Sequence, residues 1–239
     1  MRRETENTIL LLVGVSVGLI AIGGEFTRYV KPGLLPWLLA TSALLIGLAL
    51  VAILGDIRRG GAPRDHDHGH AHRGGMAWLL VVPIVVLIFV KPPPMSAQAS
   101  TPAVNTKQAV AQQFPPLPTG RAPEVSVPDV VMRAANDKSG SLTGRLITVT
   151  AFVLREKDGV DLGRIVIVCC AADAQLARIH LRGPAAGLAA GLPDNTWVRA
   201  EGVVTPAPYR TDIALVPTLD ATALSRIDAP PNPYAYPRG

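Results

Sequence analysis

The stretch IVIVCCAADA, Ile165 to Ala174, closes an apolar run with the chain's only two cysteines, side by side. Adjacent thiols cannot tie distant parts of a fold together, so the run has to be read from its pattern. It is β-branched and almost wholly apolar after Arg164, which predicts a strand over Gly163 to Cys170. Successive side chains of a strand point to opposite faces. Ile165, Ile167 and Cys169 then share one face, and Val166, Val168 and Cys170 the other.

The sequence on either side carries the same signature. Leu146 to Val153 alternates, with Ile147, Val149, Ala151 and Val153 on one face, and Lys157 to Gly159 (KDG) is a turn signal. Leu176 to Leu181, Trp197 to Val204 and Ile213 to Leu219 complete five expected strands. Short helices or turns are expected at Asp129 to Asn136 and at Ala221 to Ile227. Five short strands interrupted between the third and fourth predict a small all-β domain, a five-stranded OB-like barrel, over residues 129–228. A β-sandwich fragment is the competing architecture. Residues 229–239 read as an extended tail.

A nucleic-acid partner is excluded by charge and composition. From Asp129 to Gly239 there are twelve Lys and Arg against eleven Asp and Glu, and the expected strands offer only Phe152 and Trp197 as aromatic platforms. Single-strand binding needs a basic groove studded with stacking rings. The net charge of +5 comes largely from arginines near the N-terminal apolar segments.

Those segments predict an α-helical membrane domain over residues 1–90, with spans at about 8–28, 34–55 and 74–90. Leu34 to Gly55 is uncharged for 22 residues. The first run also fits a cleaved secretory signal, but no small-x-small site follows it and a second apolar run begins within ten residues. The third run has an apolar core of 14 residues, Ala77 to Val90, containing Pro83. A re-entrant or interfacial segment is its alternative reading. Basic residues set orientation: Arg2, Arg3, Arg58, Arg59, Arg64 and Arg73 fall on one side, and Arg28, Lys31 and Lys91 on the other. The expected protein is a multi-pass cell-membrane protein with a cytoplasmic N-terminus and an extracytoplasmic C-terminal domain. A third segment that fails to cross would return that domain to the cytoplasm. Residues 91–128 are proline-rich and lack periodicity, which predicts an extended, semi-rigid linker.

Three N-terminal apolar segments, a histidine-rich connector, a proline-rich spacer and the VCCAADA of the C-terminal domain together resemble the YcgQ-like family of bacterial membrane proteins. GRLITVTAFV (144–153), DNTWVRAEG (194–202) and PPNPY (230–234) add to the likeness, which runs over nearly the whole chain. The resemblance implies a companion of an integral-membrane permease, in some cases in a zinc-responsive setting, and so an accessory role in transport.

Two groups of residues carry candidate chemistry. Cys169 and Cys170 are soft ligands suited to zinc or Cu(I), and Asp173 or His180 joins them if the fold brings these residues close. A break of the strand at Cys170 would let both sulfurs converge. Otherwise the inward cysteine is a small core hydrophobe, or the pair forms a vicinal disulfide in an oxidising compartment. The second group is RDHDHGHAHR, where His66, His68, His70 and His72 alternate with Asp65 and Asp67 interleaved. An extended loop lines the four imidazoles on one side, suited to exchangeable zinc capture on the cytoplasmic side; a polar connector is the plain alternative.

Three functions follow. The first is a non-enzymatic accessory protein whose helices meet a permease, with Gly14, Gly18, Ala21, Ala43 and Gly47 permitting close helix contacts. The second is a thiol redox protein or enzyme, disfavoured by the absence of C-x-x-C spacing and by His180 being the domain's only histidine base. The third is a metal sensor acting through the histidine loop.

Overall fold

The structure, a computed structural model, describes residues 3–58, 103–104, 114–210 and 215–236. The chain divides into two compact units, Met1–Pro93 and Pro94–Gly239. The expected third span and the histidine loop lie outside the described residues, as does most of the first half of the linker.

In the first unit, helix α1 (Arg3–Ile22) and helix α2 (Leu35–Arg58) form an antiparallel hairpin. Small residues set its closeness. A Cβ on Gly14 would lie 2.9 Å from Ile46 Cγ1, and one on Gly18 would lie 2.7 Å from Ser42 Oγ. The Ser42 hydroxyl donates to the Gly14 carbonyl at 2.8 Å, while Ala21 and Ala49 are buried in the same seam. Gly14, Gly18 and Ala21 therefore serve the chain's own helix pair. Ala43 is exposed and Gly47 has open space around it, so these two lie off the seam.

The helical stretch Pro32–Gly55, of mean hydropathy 2.5, is long and apolar enough to cross a membrane, a property that anchors and signal sequences share. The apolar part of α1, Glu6–Ile22, is shorter. The expectation of one continuous first span to residue 28 is corrected. Gly24 adopts φ +78°, where an L-residue is strained, and this ends α1 before a separate 3-10 turn, Glu25–Arg28.

The second unit holds a six-stranded mixed sheet: β1 (Leu146–Glu156), β2 (Gly159–Val166), β3 (Gln175–Arg182), β4 (Trp197–Arg210), β5 (Leu215–Arg226) and β6 (Tyr234–Ala235). Its order is β1-β4-β5-β3-β2-β6, with β1 also paired to β2. The first five strands thus pair in a closed circuit, in which only β3–β5 is parallel. Helix α3 (Val127–Asn136) packs on the sheet, and α4 (Ala186–Ala190) fills the interruption between β3 and β4.

Side-chain parity sorts the strands between two cores. Ile147, Val149, Ala151 and Val153 of β1 join Val160, Leu162, Ala177 and Ile179 in the larger. Phe152, Leu154, Ile165, Ile167, Ala174, Leu176 and Tyr234 make the smaller. Arg133, 2% exposed, is the largest polar group among the fully buried side chains. It donates to Asp129, the Ser141 hydroxyl and the Pro115 carbonyl, and stacks over Phe114, so its charge is spread over several partners.

Three further expectations are corrected. Of Ala221 to Ile227, read as a helix or turn, all but Ile227 continues β5, because pairing with β4 as far as Arg226↔Val198 overrides the helical preference of Ala and Leu. Residues 114–126, read as spacer, run against the domain: Val125 N–H donates to Thr148 O at 2.8 Å and Val125 is buried. The tail contributes β6, which pairs in parallel with β2 at Ile165↔Tyr234.

The β4–β5 ladder shifts register at Glu201/Gly202, where a Cβ on Gly202 would stand 2.5 Å from Asp220 O and 2.9 Å from Ala221 Cα. Gly202→Ala is expected to destabilise the domain by about 1–3 kcal/mol, the usual cost of overpacking. Gly187→Ala, with nothing within 4 Å and a helical position, should be neutral or stabilising. Urea titration of the full chain in mild detergent, read by pulse proteolysis, makes the comparison.

Candidate functional site

Parity fails at one point, and the cysteines lie just beyond it. Ile165 and Ile167 occupy the smaller core and Val166 the larger, but Val168 is 47% exposed. β2 ends at Val166, and the Ile167 N–H makes a last sheet bond to Ala235 O at 3.0 Å. The chain then turns through Val168–Cys170 into a 3-10 turn, Ala171–Asp173, and returns as β3. The reading of Cys169 and Cys170 as strand residues on opposite faces is thereby corrected. Cys169 is exposed and Cys170 half-buried, so neither serves as a core hydrophobe, and both are free thiols in this structure.

Asp173 makes the turn. Its Oδ1 accepts the Val168 N–H at 2.8 Å, and its Oδ2 accepts the N–H groups of Cys169 at 2.7 Å and Cys170 at 3.1 Å. Three consecutive amides that would otherwise lack acceptors are gathered on one carboxylate. The turn is boxed reciprocally, because the Asp173 N–H points back to the Cys170 sulfur and carbonyl. Ile167 before the turn and Ala174 and Leu176 after it are buried, which fixes both ends.

The ligating atoms of Cys169, Cys170 and Asp173 all lie within 4.8 Å of one another. The Cys169 thiol donates to the Asp173 carboxylate, and this bond raises its pKa to about 11, assisted by a hydrogen bond with Cys170, partial desolvation and the neighbouring charges. Desolvation pushes the Asp173 carboxyl up, but the Cys169 thiol and the three amides outweigh it and leave its pKa below the ordinary carboxylate range. At neutral pH the group is a carboxylate holding a protonated thiol. Thiolate, not thiol, is the reactive form, so this arrangement disfavours a cysteine nucleophile at position 169.

His180 does not join this group. It lies in β3 opposite Asp161 of β2, five residues from the Gln175 end, ~16 Å along a strand at ~3.3 Å per residue. Its Nδ1 is 2.8 Å from Asp161 Oδ1, and both residues are buried. Arg178 donates to Asp161 through Nε at 3.1 Å and also pairs with Glu156. The charge of Asp161 is thus met within the sheet. The sequence reading passed over Asp161, although its i, i+2 relation to Gly159 places it on the face that Gly159 leaves open for the His180 ring. His66, His68, His70, His72, Asp65 and Asp67 lie outside the described residues.

A second concave site went unread in the sequence. A groove of about 580 Å³ is lined by residues of the segment before α3, of β1, β2 and β4, and of the stretch leading into β6. Arg164 lies half-buried in it, its guanidinium 4.7 Å over the Trp197 ring, bonded through Nη2 to the Asn232 carbonyl at 2.9 Å.

Comparison with known proteins fits this second unit. Residues 129–237 match the family model of the DUF1980 C-terminal domain, to which this part of the chain is similar. No curated protein matches the chain.

Asp173→Asn removes the charge that holds the thiol proton, so the Cys169 pKa should fall from about 11 towards the ordinary thiol value of roughly 8.5. In a Cys170→Ser background, the pH at which iodoacetamide alkylation reaches half its maximal rate should drop by one unit or more. The sign for stability is also set. The depressed Asp173 pKa contributes stability that is lost as pH falls through the carboxylate range; the raised Cys169 pKa contributes stability that is lost as pH rises towards 11. An unchanged alkylation profile would show that Asp173 does not govern the thiol.

Proposed function

We propose that this chain is a non-enzymatic, membrane-anchored accessory protein of a permease, and that its C-terminal domain takes up a soft metal ion, zinc in the first instance, at Cys169, Cys170 and Asp173. The observation that carries this reading is the convergence of two sulfurs and a carboxylate within 4.8 Å on an accessible turn. Ligands of one tetrahedral zinc stand ~3.3–3.8 Å apart at Zn–S of about 2.3 Å and Zn–O of about 2.0–2.2 Å, so small side-chain rotations close the set. Three protein ligands leave a fourth position for water or a group from the partner, as suits an ion in transit more than a structural one. Uptake releases thiol protons, because thiolate is the ligand form.

The rest of the reading is supported by pattern. The closed circuit of five strands, with a parallel β3–β5 pair and a short helix between β3 and β4, favours an OB-like barrel. The apolar Pro32–Gly55 helix and the hydrophobic residues on the outside of the α1–α2 hairpin, Leu19, Val51 and Leu54 among them, favour a membrane anchor. The basic-residue bias favours three spans, a cytoplasmic histidine loop that captures zinc on its own side, and an extracytoplasmic C-terminal domain. The zinc-responsive setting that the family resemblance implies agrees with the donor set. The thiol redox alternative has less support, since the Cys169 proton is held by Asp173.

Titration of the full chain in mild detergent with zinc should release protons, and cadmium should give a sulfur-to-metal charge-transfer band. Cys169→Ser and Cys170→Ser should each abolish that band and weaken binding at least tenfold, and Asp173→Asn should weaken binding. Deletion of residues 65–72 should remove a separate, weaker class of sites. Full-strength binding by the double serine variant would sink the metal reading. Isolation from the membrane with no permease attached would sink the accessory role, and reporters active only in the cytosol when fused after residue 128 would sink the topology.

A further inference from the structure

The groove beside β6 is independent of the CCAAD turn, and its chemistry is of another kind. Arg164 enters it from β2 and Arg199 from β4, with the carboxylates of Glu124 and Asp228, the Thr150 hydroxyl and Tyr236 on the remaining walls. The two arginines differ in how they are held. Arg164 is fixed, by its stack over Trp197 and its Nη2 bonds to the Asn232 and Tyr234 carbonyls, yet its buried Nη1 finds no acceptor among the described residues. Arg199 is exposed and makes no ion pair or side-chain hydrogen bond among them. A guanidinium placed so firmly with one donor unmet is incomplete, since buried donors are almost always satisfied. Nη1 is closed to solvent, so an anionic oxygen reaches it only as the groove lining shifts; the exposed Arg199 meets a ligand first, and the planar fork of arginine suits a carboxylate.

The opposing acids argue against a simple anion site. Asp228 is likewise exposed and without a partner among the described residues, and Glu124 spends one oxygen on the Thr150 hydroxyl at 2.8 Å. A polyanion would meet repulsion from both carboxylates, whereas a ligand with an ammonium group beside its carboxylate satisfies both sets. The groove volume of about 580 Å³ falls within the range of small-molecule sites, ~300–1,000 Å³.

We propose that the groove formed by Arg164, Arg199, Glu124 and Asp228 binds a small zwitterion of the amino-acid or dipeptide class, its carboxylate on the arginines and its ammonium towards the acids. Arg164 is the positioning cation, and Arg199 closes on the ligand from the rim. The site stands apart from the metal reading, so either can fail without the other.

Trp197 beneath Arg164 supplies the readout. In full chain carrying Trp37→Phe and Trp78→Phe, in mild detergent, its fluorescence is titrated with glycine, glycylglycine, N-acetylglycine, glycinamide and inorganic phosphate. A saturable change with glycine or glycylglycine, at least fivefold tighter than with N-acetylglycine, glycinamide or phosphate, is the expected result. Arg164→Ala also removes anchors of the Asn232–Tyr234 segment, so the exposed Arg199→Ala is the deciding variant. It should weaken the zwitterion at least tenfold, with Arg226→Ala, an exposed arginine outside the groove, as the unchanged control. No saturable response to either zwitterion, an equal response to phosphate, or retention of affinity in Arg199→Ala overturns the proposal.

Discussion

The Asp173 carboxylate accepts three consecutive backbone N–H groups, and the properties of the CCAAD turn follow from that. A strand that continued past Val166 would have sent Cys169 and Cys170 to opposite faces, one into a core and one into solvent. By offering the amides a nearer acceptor than a neighbouring strand, Asp173 takes the chain out of the sheet at Val168 and bends both thiols to one side. The same carboxylate then holds the Cys169 proton. One side chain therefore sets the position of the sulfurs and their protonation.

The sheet makes this turn a fixed feature of the surface. Closing the circuit β1-β4-β5-β3-β2 requires β1 to leave β2 after Phe152↔Gly163, and the edge of β2 that it vacates is taken by β6. Phe152 and Leu154 of β1, Ile165 and Ile167 beyond the divergence, and Tyr234 from β6 fill the space beneath as a second core. Gly163 stands at the divergence because a Cβ there would lie 2.7 Å from both Phe152 and Leu154. The turn grows from the far end of this core, and the Arg164 groove opens between β6 and the segment that pairs with the outer edge of β1. Both candidate sites thus arise from one topological event, the parting of β1 from β2.

What the sequence made legible is what depends on side-chain period. Ile147, Val149, Ala151 and Val153 share a buried face as their alternation requires, and the apolar Leu34 to Gly55 run forms a helix. What it hid depends on competition for backbone groups. Nothing in IVIVCC marks Val166 as the last strand residue, and the signal sits downstream, in the C-x-x-D spacing that lets Asp173 box Cys170. Ala221 to Arg226 has helical composition and is strand because β4 offers it a ladder. Whether His180 meets the cysteines depended on the fold, and its partner, Asp161, comes from a strand pairing that the spacing of the cysteines does not reveal.

The two charged groups at these sites are satisfied in opposite ways, and this bears on how each would bind. Asp173 has every acceptor position engaged by its own turn, so an arriving ion competes with the Cys169 thiol and with backbone amides before it gains a ligand. Such a site holds metal less tightly than one whose donors stand free, and its apo form stays ordered, because the hydrogen bonds that an ion disrupts can re-form as it leaves. Arg164 is the reverse. Its Nη2 is committed to the Asn232 and Tyr234 carbonyls, while Nη1 is buried without an acceptor among the described residues. An incoming carboxylate there relieves an existing deficit once the groove lining parts to admit it, since Nη1 is closed to solvent without a ligand. Exchange is built into the first site by the completeness of its hydrogen bonding, and affinity into the second by a bond left unmade.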